Sequence, residues 1–165
     1  MSVNASMHQS IDIQQKNNDQ TGFTLIEVLV AVVILAVGLL GLAGMQATGL
    51  RNNQDAYNRS QATQLAYDLA DRMRANVVAA NTYTATTPIS SATTQADCLT
   101  TTGCSPAELA ENDLFEWNTT LTNILPGGLG SLAVAANVYT VTITWDDDHD
   151  GDDSNNPSFQ TSFRL

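Results

Sequence analysis

Residues 28–45 read VLVAVVILAVGLLGLAGM, a run without one charge. Extending it back to Phe23 adds a single charged residue, Glu27. At a helical rise of about 1.5 Å per residue the longer stretch covers roughly 34 Å, enough to cross a hydrocarbon core of about 30 Å. A buried core helix is a poor alternative, because so small a domain has nothing to cover an apolar run of this length. A cleaved secretory signal needs a basic start, a shorter apolar region and a small-residue cleavage site. Gly44-Met45-Gln46 is a poor match to such a site. The run therefore predicts a membrane helix. Glu27 stands out within it, since a carboxylate in an apolar helix costs on the order of 2.5–3.5 kcal/mol on insertion scales. Either it lies near the interface or it has a partner.

Working outward, the 165 residues suffice for one domain of ordinary size. Acidic residues number 17 and basic ones 6, for a net charge of −11. That balance argues against direct binding of nucleic acid, which needs clustered Lys and Arg. It excludes a polybasic lipid anchor for the same reason. Six of the 17 acids crowd into Asp146-Asp147-Asp148-His149-Asp150-Gly151-Asp152-Asp153, so the acidity is largely local. The segment 1–22 is polar, rich in Asn, Gln and Ser, and holds only Lys16 as a basic residue. It shows no periodicity and is expected to be unstructured.

Gly22-Phe23-Thr24-Leu25-Ile26-Glu27-Val28-Leu29-Val30-Ala31 resembles the processing and assembly signature of type IV prepilins and pseudopilins. The resemblance implies a prepilin peptidase that cleaves after Gly22 and N-methylates the new terminus, Phe23. It also implies that Glu27 pairs with the terminal ammonium of a neighbouring subunit, setting axial register. A buried carboxylate facing a buried ammonium is cheaper than either alone, which fits that role. The leader departs from the pattern. Prepilin leaders are usually short with basic residues before the Gly, whereas this one runs from Met1 to Gly22, although an internal start at Met7 would shorten it. Arg51, Arg59, Arg72 and Arg74 follow the apolar run and outnumber Lys16. Charge bias alone would therefore leave the C-terminal part in the cytoplasm. The motif implies the reverse, a single-pass inner-membrane protein with its head in the periplasm, and it is the more specific signal.

Helical periodicity continues beyond the membrane run. Ala62, Leu65, Ala66, Leu69, Met73 and Val77 form one apolar stripe, with Arg59, Gln64, Asp68, Asp71 and Arg74 on the other face. No Pro occurs between Phe23 and Thr87, so one unbroken helix from the membrane run to the neighbourhood of residue 80 is expected. Gly38, Gly41, Gly44 and Gly49 within it read either as ordinary membrane-helix glycines or as a stretch for close packing or unwinding. The expected organisation is a cleaved leader at 1–22, a transmembrane half-helix at 23–50, an amphipathic half-helix at 51–80 and an exported head at 81–165.

Within the head, residues 81–104 are rich in Thr, Ala and Ser and read as a surface connection. Cys98 and Cys104 are separated by five residues, which fits neither a zinc pattern nor a C-x-x-C redox motif. In an exported domain they predict a disulfide, worth roughly 2 kcal/mol in the chain-entropy model. Ser105-Pro106-Ala107-Glu108 has the form of a capping box, and Ala110, Leu114, Trp117, Leu121 and Leu125 follow at helical spacing. Pro126-Gly127-Gly128 ends that helix, and Trp117 on its apolar stripe is expected in the core. Period-two alternation at 138–145 and 158–165 predicts an antiparallel pair, and 131–136 a short third strand. The fold class is α+β: a lollipop with a long helical stick and a small antiparallel sheet as head, carrying one extra helix.

Asp71-Arg72-Met73-Arg74-Ala75-Asn76, the Cys pair, Leu114-Phe115-Glu116-Trp117-Asn118, Leu125-Pro126-Gly127-Gly128 and Val141-Thr142-Ile143-Thr144-Trp145 are similar to the minor-pilin family named type IV pilus modification protein PilV. That resemblance implies a minor subunit of a bacterial type IV pilus. It would assemble with other minor pilins and the major pilin, and support twitching motility and adhesion. A minor pseudopilin of a type II secretion system shares the N-terminal logic. A membrane-tethered calcium-binding domain with no filament role is a third reading. No catalytic constellation is present, and an enzyme is not expected. The Asp-rich run has acids at alternate positions, Asp146, Asp148, Asp150 and Asp152, with Gly151 at the sixth, as in the first half of an EF-hand loop. Its twelfth position is Pro157 rather than Glu, and no helix is expected on either side. The loop is thus a candidate Ca²⁺ site or a solvated acidic turn.

Overall fold

The apolar run and the stripe beyond it form one helix, α1 (Leu25–Ala75), in a computed structural model that describes residues 22–165. Met7, His8 and Lys16 of the leader lie outside the described residues. By length and composition α1 can cross a membrane. The chain divides into two units, Met1–Met45 and Gln46–Leu165. In the first unit every described side chain is exposed, as suits a surface that lipid or another apolar chain would cover. Helix α1 runs on through Gly38, Gly41, Gly44 and Gly49.

In the second unit Ala62, Leu65, Ala66, Leu69, Ala70 and Met73 face the core, as the three- and four-residue spacing requires. The helix ends at Ala75 rather than at residue 80, and Val77 is half exposed rather than on the stripe. Neither Pro nor Gly marks this stop. Asn76 adopts φ −128° and ψ 50°, and its Nδ2 donates to the carbonyl of Pro106 at 2.7 Å, a tertiary bond that turns the chain. A 3-10 turn follows at Val77–Ala79, then the short helix α2 (Ala80–Ala85).

Residues 81–104 are more than the expected surface connection. Tyr83, Ile89 and Ala92 are buried in the main core, so the segment is pinned by three inward side chains while its Ser and Thr stay largely outside. Helix α3 (Pro106–Ile124) begins with the expected capping box: Glu108 N donates to Ser105 Oγ at 3.3 Å and Ser105 N to Glu108 Oε2 at 2.8 Å. Those bonds favour the ionised Glu108 carboxyl and hold it below its ordinary value. Ala110, Leu114, Trp117 and Leu121 are fully buried, and Leu125 nearly so. The Trp117 indole Nε1 donates to the carbonyl of Leu65 at 2.7 Å, tying α3 to α1 in the middle of the core.

The sheet has three antiparallel strands in the order β1 (Leu129–Ala135), β2 (Val138–Thr144), β3 (Ser158–Phe163). Strand β1 starts at Leu129, ahead of the expected start at residue 131, because its ladder with β2 runs from Leu129↔Thr144 to Ala135↔Val138. Ala136 and Asn137, with φ of 48° and 62°, make the tight turn between them. Strand β3 pairs with β2 from Thr144↔Ser158 to Tyr139↔Phe163. Side chains opposite one another share a face. Thus Gly130, Ile143 and Phe159 form one inward row, and Leu132, Val141 and Thr161 the next. Gly130 lies directly against the Trp117 indole, and a Cβ there would overlap the ring. The inner face also holds Trp145, which follows β2. At the open end Phe163 stacks on Tyr139 with 5.8 Å between ring centroids, and Arg74 sits over Phe163 at 5.3 Å.

A half-buried ion cluster completes the join of α1 to α3. Arg72 reaches Asp68, Asp113 and Glu116, each at 3.0 Å. The hydroxyl of fully buried Tyr83 donates to Asp113 Oδ2. Burial pulls the Arg72 pKa down, but the hydrogen bond to Glu116, the charge of Asp68 and the bonds to Asp113 and Asp68 outweigh it, and the net shift is upward. Burial, then the Asp113 hydrogen bond and charge, push the Tyr83 hydroxyl up.

Candidate functional site

The N-terminal site is built on the first turn of α1. Thr24 precedes the helix, and its carbonyl and Oγ1 accept from Glu27 N at 3.0 and 3.4 Å. That arrangement satisfies one of the donors a helix start leaves open. It also places Glu27 in the first turn, where the helix dipole favours an anion. In the sequence Glu27 is an isolated charge in an apolar run; its position in the first turn offsets part of the cost of that carboxylate. Gly22 stands before the helix with open space around it, and Phe23 is exposed. A peptidase would meet an accessible bond at Gly22-Phe23, and residues 28–45 are exposed along the helix.

In the second unit Cys98 and Cys104 are bonded, with an S–S distance of 2.01 Å. They close a surface loop that displays Leu99.

The acidic run is the loop between β2 and β3. Asp146, Asp148 and Asp150 each offer one carboxylate oxygen, all within 4.8 Å of one another. The loop is wound by its own carboxylates: Asp146 accepts from the amides of His149 (2.6 Å) and Gly151 (3.2 Å), Asp150 from Asp152 N (2.7 Å). Gly151 has φ 74°, the left-handed conformation for which glycine is suited, and His149 adopts φ 60°. Asp152, expected as a fourth ligand, is outside the cluster, because its Oδ1 accepts from Ser154 N at 2.9 Å. That bond holds its carboxyl below the ordinary value. Asp148 shifts the other way. Desolvation within the loop raises it, as do the charges of Asp150, Asp146 and Asp147, against a lowering contribution from the Asp150 amide. Three hard oxygen donors at this spacing suit a divalent cation such as Ca²⁺. At the twelfth position Pro157 supplies no side-chain ligand, and its carbonyl accepts from Trp145 N at 3.3 Å.

Two features are not legible in the sequence. Arg72 is visible there only as part of a motif, since its partners Asp113 and Glu116 come from α3. Arg51, Gln54 and Asp55 of α1 line a groove of about 370 Å³ together with Asp147, Asp148 and His149. No local pattern announces that meeting.

Two family models match the chain. The prokaryotic N-terminal methylation motif covers residues 17–43. The type IV pilin Tt1218 family covers residues 44–115, from the remainder of α1 into α3. No curated protein and no solved structure matches. The methylation motif lies over Gly22, Phe23 and Glu27, and the pilin match begins at the next residue after it. The long N-terminal helix and the small antiparallel sheet are consistent with the type IV pilin fold, and the two matches make the chain similar to type IV pilins.

Proposed function

We propose that the chain is a minor subunit of a bacterial type IV pilus, of the PilV kind, helping to initiate or modify filament assembly. On this reading it is a structural protein rather than an enzyme, and it supports twitching motility and adhesion. It would enter the inner membrane through α1 with its head in the periplasm, be cleaved and N-methylated at Phe23, and then join other minor pilins and the major pilin. The observation that carries the reading is the methylation motif over Gly22-Phe23 and Glu27 at the start of an exposed apolar helix. The similarity of Leu114-Phe115-Glu116-Trp117-Asn118 and the β2 run to PilV favours a minor role. Genomic neighbours distinguish it from a type II secretion pseudopilin: minor pilins and a tip protein on one side, a secretin operon on the other.

Mass spectrometry of the exported protein should find N-methylated Phe23 as its first residue. Deleting the gene should reduce piliation and twitching, and Glu27→Ala should reproduce that loss while processing at Gly22 continues. A mature chain that begins at Met1 or Met7, or a deletion without effect on pili, would refute the proposal.

A second reading concerns the loop alone. The convergence of Asp146, Asp148 and Asp150 supports a Ca²⁺ site. Calorimetry with excess Ca²⁺ should show binding heat and a raised Tm, both lost in Asp148→Asn. Asp148 holds its proton to higher pH than an ordinary Asp. Binding should therefore weaken on acidification as protons compete for that carboxylate. Neither heat nor a Tm shift would leave the loop a solvated turn.

A further inference from the structure

The groove between α1 and the β2–β3 loop combines opposite charges that do not neutralise one another. Arg51 and Asp55 come from α1, Asp147 and Asp148 from the loop, and all four line the same space of about 370 Å³. Among the described residues Arg51, Asp55 and Asp147 make no ion pair or side-chain hydrogen bond. Exposed charges gain little by pairing with each other, and a groove that presents unpaired groups of both signs is complementary to a ligand carrying both signs. Gln54 adds a neutral polar group to the wall. Its Nε2 is engaged by Asn58 Oδ1 at 3.3 Å, which leaves its Oε1 as an acceptor. Asn58 itself is 1% exposed and holds Gln54 from within.

The position of Arg51 in α1 says where the ligand comes from. Residues 28–50 hold no charge, and Arg51 ends that stretch. A helix of that length rises roughly 34 Å, slightly more than the hydrocarbon core. Arg51 and the next turn, Gln54 and Asp55, therefore fall at the depth of the headgroup layer when α1 spans a bilayer.

We propose that the groove seats the headgroup of a zwitterionic phospholipid that ends in a primary ammonium. Arg51 takes the phosphate. Asp55, Asp147 and the Gln54 Oε1 take the ammonium, whose three N–H donors match acceptors that a trimethylammonium could not use. An anionic headgroup with no ammonium would meet one guanidinium and three carboxylates and be repelled. The site would hold the subunit, before assembly, in contact with one class of lipid. The proposal rests on the reading of α1 as a membrane span.

The full chain reconstituted in nanodiscs of equal phosphatidylethanolamine and phosphatidylglycerol, with EDTA present, provides the test. Lipids retained by the protein are counted by native mass spectrometry. Phosphatidylethanolamine should be enriched several-fold over its bulk share. The enrichment should vanish in Arg51→Gln and in the Asp55→Asn, Asp147→Asn double variant, and phosphatidylcholine should not substitute. Insertion with lipids retained at the bulk ratio, or variants that keep the enrichment, would overturn the site alone. A chain that fails to enter the bilayer would overturn the membrane reading and the site with it.

Discussion

Trp117→Ala should cost about 3–5 kcal/mol of the second unit's stability. The indole is fully buried, lies against Gly130, and donates to the carbonyl of Leu65 in α1. Truncation removes its apolar area, opens a cavity between α3 and the sheet, and removes the indole hydrogen bond to the Leu65 carbonyl. A domain's whole stability is about 5–15 kcal/mol, so such a loss leaves the unit marginal. Near-UV circular dichroism of the full chain in detergent, followed through a urea titration, reads the change. Trp117→Phe keeps most of the volume and should lose only about 1–2 kcal/mol, chiefly from the hydrogen bond. Gly130→Ala alone should cost about 1–3 kcal/mol by overpacking. In the Trp117→Ala background it should cost almost nothing, because the space it needs is vacant. Additive losses in the double variant would contradict the packing described.

The second large effect is expected at Arg72. Replacement by Met removes the one cation shared by Asp68, Asp113 and Glu116. Asp68 and Glu116 are half exposed and can turn to water, but the Asp113 side chain is only 13% exposed. An uncompensated carboxylate there should cost about 3 kcal/mol. Arg72→Lys restores charge without the planar fork and should recover only part of the loss. The same cluster sets an alkaline limit. The Tyr83 hydroxyl is held above its ordinary value of about 10, so the folded state keeps a proton that the unfolded chain releases. Its contribution is fully present below about pH 10 and is lost as the pH rises above that, while the unfolded chain ionises. Tyr83→Phe should flatten that part of the stability profile. An unchanged alkaline slope would show that Tyr83 does not govern it.

What can be read in advance follows from whether the signal is local. The apolar helical run, the stripe from Ala62 to Met73, the Ser105 capping box and the alternation in β2 each depend on residues within one or two turns of each other, and each is present in the structure. The stop at Asn76 is not legible in this way, because it depends on a carbonyl 30 residues away. Tyr83 and Ile89 sit in a segment without periodicity, so nothing nearby distinguishes their burial from the exposure of the Ser and Thr around them. In the acidic loop the alternate spacing announces the convergence of Asp146, Asp148 and Asp150. It cannot show that the Ser154 amide claims Asp152. At the N-terminus the methylation-motif match lies over Gly22, Phe23 and Glu27 and is visible in the sequence alone, while the neighbourhood of Arg51 and Asp147 requires the folded chain.

Gly130 beneath the indole also governs which pairings the hairpin can adopt. A slip of one residue would turn the apolar side of β1 to water. A slip of two keeps the faces but is blocked in both directions. One direction drives the Leu132 side chain into the space where even a methyl overlaps Trp117. The other draws Gly127, with φ 56°, and Pro126, which has no amide to donate, toward the ladder. One missing side chain thereby acts as a phase mark for the strand, leaving the sheet a single way to zip.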